Sequence, residues 1–168
     1  METYRACYGE YPPSRAEDTQ AHLNRLFPRR DKTESIPDLD PAELLVFWLQ
    51  GYSSDARRPF TDTVGRTPLY DFDKRRLTDI DRDGWPEYRP PYPRPSRAPF
   101  VYFVEPYEGQ SYSHPAFRGT ATPLPKVTKG YHIVTAGPDG DFGGAGSKRR
   151  RAERDNISSW HPELERSD

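Results

Sequence analysis

YHIVTAGPDGDFGGAGSKRRRAERDNISSW, residues Tyr131 to Trp160, opens as a strand and comes back on itself as an acidic loop. Tyr131, Ile133 and Thr135 fall on one face and His132 and Val134 on the other, and β-branched residues dominate. The next residues, Ala136-Gly137-Pro138-Asp139-Gly140-Asp141, set two carboxylates among glycine and proline, where backbone carbonyls can turn inward instead of joining a ladder. After a basic excursion, Asp155-Asn156-Ile157 adds a third carboxylate and an amide oxygen. Closed into one loop, these groups make a cage of hard oxygen donors of the kind Ca²⁺ takes at six- to eightfold coordination. Without a cation, two carboxylates ~4 Å apart repel by ~1 kcal/mol in water and by ~4 kcal/mol at an effective dielectric near 20. The stretch therefore reads as a metal-stapled terminal loop.

Composition says that such a staple is needed. Leu, Ile, Val and Phe number 28 of 168 residues, below the ~20% under which disorder becomes a concern. Against disorder stand 22 aromatic residues and a net charge of -1, which do not describe a self-repelling chain. The expectation is one domain with a thin core of Tyr, Phe and Trp, and with 19 prolines keeping much of the chain extended or looped. Cys7 is the single cysteine, so no intramolecular disulfide can form. The longest apolar run, Leu44 to Leu49, is six residues, against about 20 for a bilayer span.

Three helices are expected. Glu2 to Gly9 looks like a helix entered in its middle and ended by glycine before Tyr11-Pro12-Pro13. Ser14-Arg15-Ala16-Glu17 predicts a capping box opening a helix to about Phe27. Asp40-Pro41-Ala42-Glu43 predicts a second box, with proline at the first helical position. Its helix, Ala42 to Gln50, is apolar nearly all round and so belongs in the core, with an exposed partner-binding helix as the alternative. Alternation then predicts a strand at Leu69 to Asp73, paired with Trp85 to Tyr88. Phe100 to Val104, apolar on both faces, reads as a central strand.

Asp79-Ile80-Asp81-Arg82-Asp83-Gly84 reproduces the first half of an EF-hand-like loop: aspartates at positions 1, 3 and 5, and a turn glycine at 6. The second half departs from it, because Pro90 stands at position 12 and Glu87, at position 9, is the remaining acidic candidate. Asp79, Asp81, Asp83 and Glu87 thus form a second candidate calcium site, with a solvated hairpin tip as the alternative. Arg89 to Pro99 is a polyproline II connector, and Tyr107 to Gly130 a long loop rich in Gly, Ser and Pro.

Catalytic and nucleic-acid patterns find little support. His22, His114, His132 and His161 have no metal-ligand spacing, Gly-x-Ser-x-Gly is absent, and Gly143 to Lys148 breaks the Walker A order. Lys148 to Arg151 is a short basic run on a near-neutral chain, without a wider basic surface for nucleic acid. The expectation is a non-enzyme.

Two stretches carry a resemblance. The order strand, small residue, Gly-Pro-Asp-Gly, Gly-Gly, gap, Asp-Asn-Ile and Trp resembles the C-terminal calcium loop of type II secretion major pseudopilins, in the type IV pilin-like superfamily. TYRACYGEYPPS, with Tyr4, Gly9, Tyr11 and Pro12 in step, resembles the join between the pseudopilin stem helix and its globular head. The resemblance implies Ca²⁺ held by side chains of Asp139, Asp155 and Asn156 with backbone oxygens of Ala136 and Asp141. The gap from Ala145 to Arg154 is longer than the family's, and Asn156 stands where a second carboxylate is usual.

It also implies an α+β head, with the end of an N-terminal stem helix packed on a small antiparallel sheet among short helices and long Pro-rich loops. Residues 1–13 would end the stem, 14–99 form a helical and looped insertion, and 100–168 hold the sheet and calcium loop. The implied function is a structural subunit of a secretion or pilus-like filament that assists protein export. It would associate with itself and with other pseudopilins, in the periplasm, anchored to the inner membrane by a helix upstream of this sequence. The alternative is a secreted calcium-dependent binding module or accessory domain of an extracellular enzyme.

Overall fold

The computed structural model describes residues 1–34, 36–61, 65–91, 98–104, 111–112, 122–123, 130–137, 140 and 157–158. Helix α1, Glu2–Tyr8, stops at Gly9, whose φ of 85° lies in the left-handed region that glycine adopts without steric cost. Helix α2 spans Ala16–Leu26 and α3 spans Pro41–Leu49. The capping box expected for α3 is complete: the Asp40 carboxylate accepts from Ala42 N–H at 2.8 Å and Glu43 N–H at 3.0 Å, and Glu43 accepts from Asp40 N–H at 2.7 Å.

The box expected at α2 does not form. Arg15 is the N-cap, with no side-chain cap, because the Ser14 hydroxyl accepts the Val104 backbone N–H at 3.1 Å instead. A tertiary donor 90 residues away has taken the hydroxyl that the local pattern assigned to the helix end.

The strands are short and antiparallel. β1, Tyr52–Ser53, pairs with β2, Arg66–Thr67. Lys74–Arg76 forms a 3₁₀ turn leading into β3, Leu77–Thr78, which pairs with β4, Glu87–Tyr88. β5 is Val101–Val104, β6 Ser111–Tyr112, β7 Thr122–Pro123, β8 Tyr131–Thr135 and β9 Ile157–Ser158. β6 pairs with β7, a two-residue ladder within the stretch expected as loop.

The largest sheet has the order β5-β8-β9. The mixed α+β class is as expected, but several details of the strands differ from expectation. Residues 69–73 form no strand: the Leu69 and Tyr70 N–H groups both donate to Leu49 O, at 2.9 and 3.2 Å, so they continue the end of α3. The partner of Glu87–Tyr88 is instead Leu77–Thr78.

β8, not β5, is the middle strand of its sheet. The apolar character of β5 has another origin, since α3 lies against it. Its outer edge is covered piecemeal, with Phe100 N–H bonded to Tyr88 O at 2.9 Å and Val104 N–H bonded to Ser14.

The core is aromatic, as composition predicted. Ala42 to Leu49 are all buried in α3, and each large apolar side chain so placed contributes about 1.5–3 kcal/mol relative to exposure. Tyr4 is completely buried, with its ring centroid 4.6 Å from Tyr8, 6.0 Å from Trp48 and 6.3 Å from Tyr52. Trp48 Nε1–H donates to Pro13 O at 2.9 Å, and the Tyr102 hydroxyl donates to Pro12 O at 2.7 Å. These bonds tie the turn after α1 to the core helix and to the sheet.

A polar thread runs through this core. The Tyr4 hydroxyl lies 2.7 Å from the Tyr52 hydroxyl and 2.7 Å from His22 Nε2, and His22 Nδ1 lies 3.0 Å from Glu10. Burial raises both tyrosines well above their ordinary range, so both stay protonated. One arrangement then satisfies every group: Tyr52 donates to Tyr4, Tyr4 donates to His22 Nε2, and neutral His22 donates from Nδ1 to the Glu10 carboxylate.

Burial holds the His22 pKa below 6.5, and the Glu10 charge only partly offsets it. Because the folded value is depressed, the stability that neutral His22 contributes is complete above about 6.5 and is lost as pH falls through the folded value. Nuclear magnetic resonance titration is expected to put His22 below 6.5. The difference in urea midpoint between the parent and His22→Gln should shrink from pH 7 to pH 5; a His22 titrating above 6.5 would refute the neutral arrangement.

Candidate metal centre

Two pieces of backbone face each other at the N-terminal end of α3. On one side, proline at the first helical position and the Asp40 cap fix the first turn, and Glu43 folds back to give Oε2 to Asp40 N–H. Its other oxygen, Oε1, is buried and has no N–H donor among the described residues, on a residue only 2% exposed.

On the other side lies the turn between β3 and β4. Asp79 accepts from Arg82 N–H at 2.7 Å and Gly84 N–H at 3.1 Å, and Asp83 Oδ1 accepts from Trp85 N–H at 2.9 Å. Glu87, fully buried, accepts from Ile80 N–H at 2.8 Å and so ties the turn to β4. Gly84 has φ 103°, the sharp bend expected at position 6, and Arg82 has φ 70°, a conformation costing a non-glycine residue about 1–2 kcal/mol.

This turn aims Asp81 and Asp83 at Glu43. One carboxylate oxygen from each of the three lies within 4.8 Å of the others, and Asp81 Oδ1 is also buried without a hydrogen-bond partner among the described residues. Among the described residues no Lys or Arg forms an ion pair with any of them. Burial pushes the Glu43 carboxyl up to about 8, and the charge of Asp40 and the facing Asp83 carboxyl, through hydrogen bonding and charge, add to the effect. Asp81 is raised as well, first by burial and then by the charges of Asp83 and Glu87. Such an arrangement is relieved either by a proton shared between carboxylates or by a cation. The cluster could hold a metal ion.

No family model, curated protein or solved structure matches this chain. Its chemistry is therefore read from the residues themselves.

Of the four acidic residues singled out in the turn, Asp81 and Asp83 come together, while Asp79 and Glu87 bind backbone donors and hold the turn's shape. The sequence reading missed Glu43. Its signal was present in the capping box, which uses one oxygen of the N3 glutamate and leaves the second for something else.

Of the terminal set, Ala136 is buried at the end of β8. Asp139, Asp141, Asp155 and Asn156 lie outside the described residues. The backbone on either side is described: Val134 pairs with Ser158 and Thr135 with Ile157, so the two ends of the acidic stretch lie on neighbouring strands.

Elsewhere, an apolar cleft of 220 Å³ is lined by Leu45, Leu49, Tyr70, Phe72, Tyr88 and Ile133, among others. Among the described residues no helix is long and apolar enough to cross a membrane.

Proposed function

We propose that this chain is the globular head of a pseudopilin-like subunit, a structural component of a secretion or pilus-like filament, stabilised by calcium and without a catalytic step of its own. The observation that carries the reading is the antiparallel pairing of β8 with β9, Val134 with Ser158 and Thr135 with Ile157. That register brings the two ends of the acidic stretch to one sheet edge, as a calcium loop pinned to a β-scaffold requires. Further support comes from α1, which ends at a left-handed Gly9 and is followed by Pro12 held to the Tyr102 hydroxyl. A stem helix docked on its head would need such an anchorage.

In this reading calcium at Asp139, Asp155 and Asn156, with Ala136 and Asp141 carbonyls, orders a subunit contact surface. The head lies in the periplasm, the anchor is a membrane helix upstream of Glu2, and the partners are further copies and other pseudopilins. Two measurements test it. The coding sequence before Met1 is expected to specify a short basic leader and an apolar helix of about 20 residues; a cleavable signal peptide there would favour a secreted calcium-dependent module. CaCl2 is expected to raise the thermal midpoint of the chain, with much of that rise lost in Asp139→Ala. An Asp139→Ala chain that keeps the full rise would overturn the role given to the terminal loop.

A further inference from the structure

We propose that Glu43, Asp81 and Asp83 form a second, independent site for one hard divalent cation, calcium in preference to magnesium, which clamps the first turn of α3 to the β3–β4 turn. The inference goes beyond the filament reading and stands without it, since none of the three residues belongs to the terminal loop.

The geometry has the right scale. Three oxygens no more than 4.8 Å apart enclose a point ~2.8 Å or less from each, close to the 2.3–2.6 Å of calcium–oxygen bonds. Magnesium, at about 2.0–2.1 Å and with strict octahedral demands, would need the three groups to contract further. The decisive atom is Glu43 Oε1. A carboxylate oxygen buried on a residue 2% exposed, faced among the described residues by carboxyl groups in place of an N–H donor, is a costly thing to leave unmatched.

The surrounding groups are already committed in a way that leaves this role to a cation. Asp40 caps the helix, Asp79 and Glu87 hold the turn, and the Asp83 oxygen bonded to Trp85 N–H fixes that side chain's direction. Asp83 is exposed and Asp81 half-buried, so an ion can enter from solvent and keep waters on that side to complete its coordination. The ligands come from two elements 38 residues apart, Glu43 and Asp81, so the ion closes a tertiary contact rather than a local loop. Affinity in the range of extracellular calcium modules, a Kd of about 10⁻⁴–10⁻³ M, is expected for three carboxylates on such a partly open site.

The test begins from the full chain carrying Asp139→Ala, stripped with chelator, so that the terminal loop contributes nothing. Calorimetric titration with CaCl2 is expected to give one ion per chain, at least tenfold weaker binding with MgCl2, and no saturable heat once Glu43→Gln is added. Asp81→Asn is expected to weaken calcium by tenfold or more, and it decides the matter if Glu43→Gln fails to fold. Terbium offers a local readout: indole-excited emission should fall severalfold in Trp85→Phe, whose backbone neighbours the Asp83 ligand. Calcium binding unaltered by Glu43→Gln and Asp81→Asn would overturn the site. So would a folded chain that takes up no calcium, which would leave a shared proton as the occupant. A partial loss of the calcium-induced rise in thermal midpoint on Asp139→Ala, with one ion still bound, bears on the filament reading and not on this one.

Discussion

Gly51→Ala is expected to destabilise the fold by roughly 3–5 kcal/mol, a severe loss for the removal of no contact at all. Gly51 follows α3 with φ 73°, and a Cβ built there would lie 1.9 Å from the Thr67 carbonyl oxygen and 2.8 Å from its carbon. The obstacle is backbone, and it belongs to β2, which pairs Thr67 with Tyr52. Relieving the clash would pull β2 away or shift Tyr52, whose ring and hydroxyl both engage Tyr4 in the core.

Gly9→Ala is the control. Gly9 has a similar φ of 85°, yet nothing lies within 4 Å of the added methyl, so only the left-handed backbone term of about 1–2 kcal/mol applies. Urea denaturation of the two variants separates steric crowding from backbone preference. Equal losses would mean that β2 does not press on Gly51 as described.

The second large effect is a gain. In buffer freed of divalent cations, Glu43→Gln is expected to stabilise the chain at pH 8 by about 1–3 kcal/mol. The glutamine carbonyl can keep the Asp40 N–H, and its amide can donate toward the carboxylates that Glu43 Oε1 now opposes. The pH dependence follows from the raised Glu43 pKa of about 8 against an ordinary 4.5. A raised carboxyl means that the folded state binds the extra proton, so its contribution is present below about 4.5 and is lost as pH rises toward 8. The advantage of Glu43→Gln over the parent should therefore grow from pH 5 to pH 8 and reverse when calcium fills the site. A variant less stable than the parent in chelator at pH 8 would show that the carboxylates do not oppose one another.

Where local chemistry settled a question, the sequence was readable. Asp40-Pro41-Ala42-Glu43 marked the start of α3 because capping box and proline act within one turn. Gly9 and the β-branched run from Tyr131 to Thr135 marked α1 and β8 for the same reason.

The misreadings arose where a distant partner took over a local signal. Ser14 had the look of a cap until Val104 claimed it. The alternation of Leu69 to Asp73 suggested a ladder, but the backbone donors at its start go to the last carbonyl of α3. β5 owed its two apolar faces to core packing on each of them, Tyr102 in one cluster and Val101 and Phe103 in the other, rather than to a central place in its sheet.

In the candidate site the loop glycine and two aspartates were legible, being set by spacing alone. The third carboxylate was hidden, because no local rule says which turn of chain will stand opposite a capping glutamate's spare oxygen.

The bonds from Tyr102 to Pro12 and from Val104 to Ser14 each join residues 90 positions apart. During synthesis at roughly 5–20 residues per second, the exit turn of the first helix waits about 5–18 s for the strand that completes its anchorage. Until then the turn is held on one side only, by Trp48 Nε1–H at Pro13 O. The segment around Tyr4 thus gains its core partners in two steps, His22, Trp48 and Tyr52 first and the β5 anchors of its exit turn afterwards.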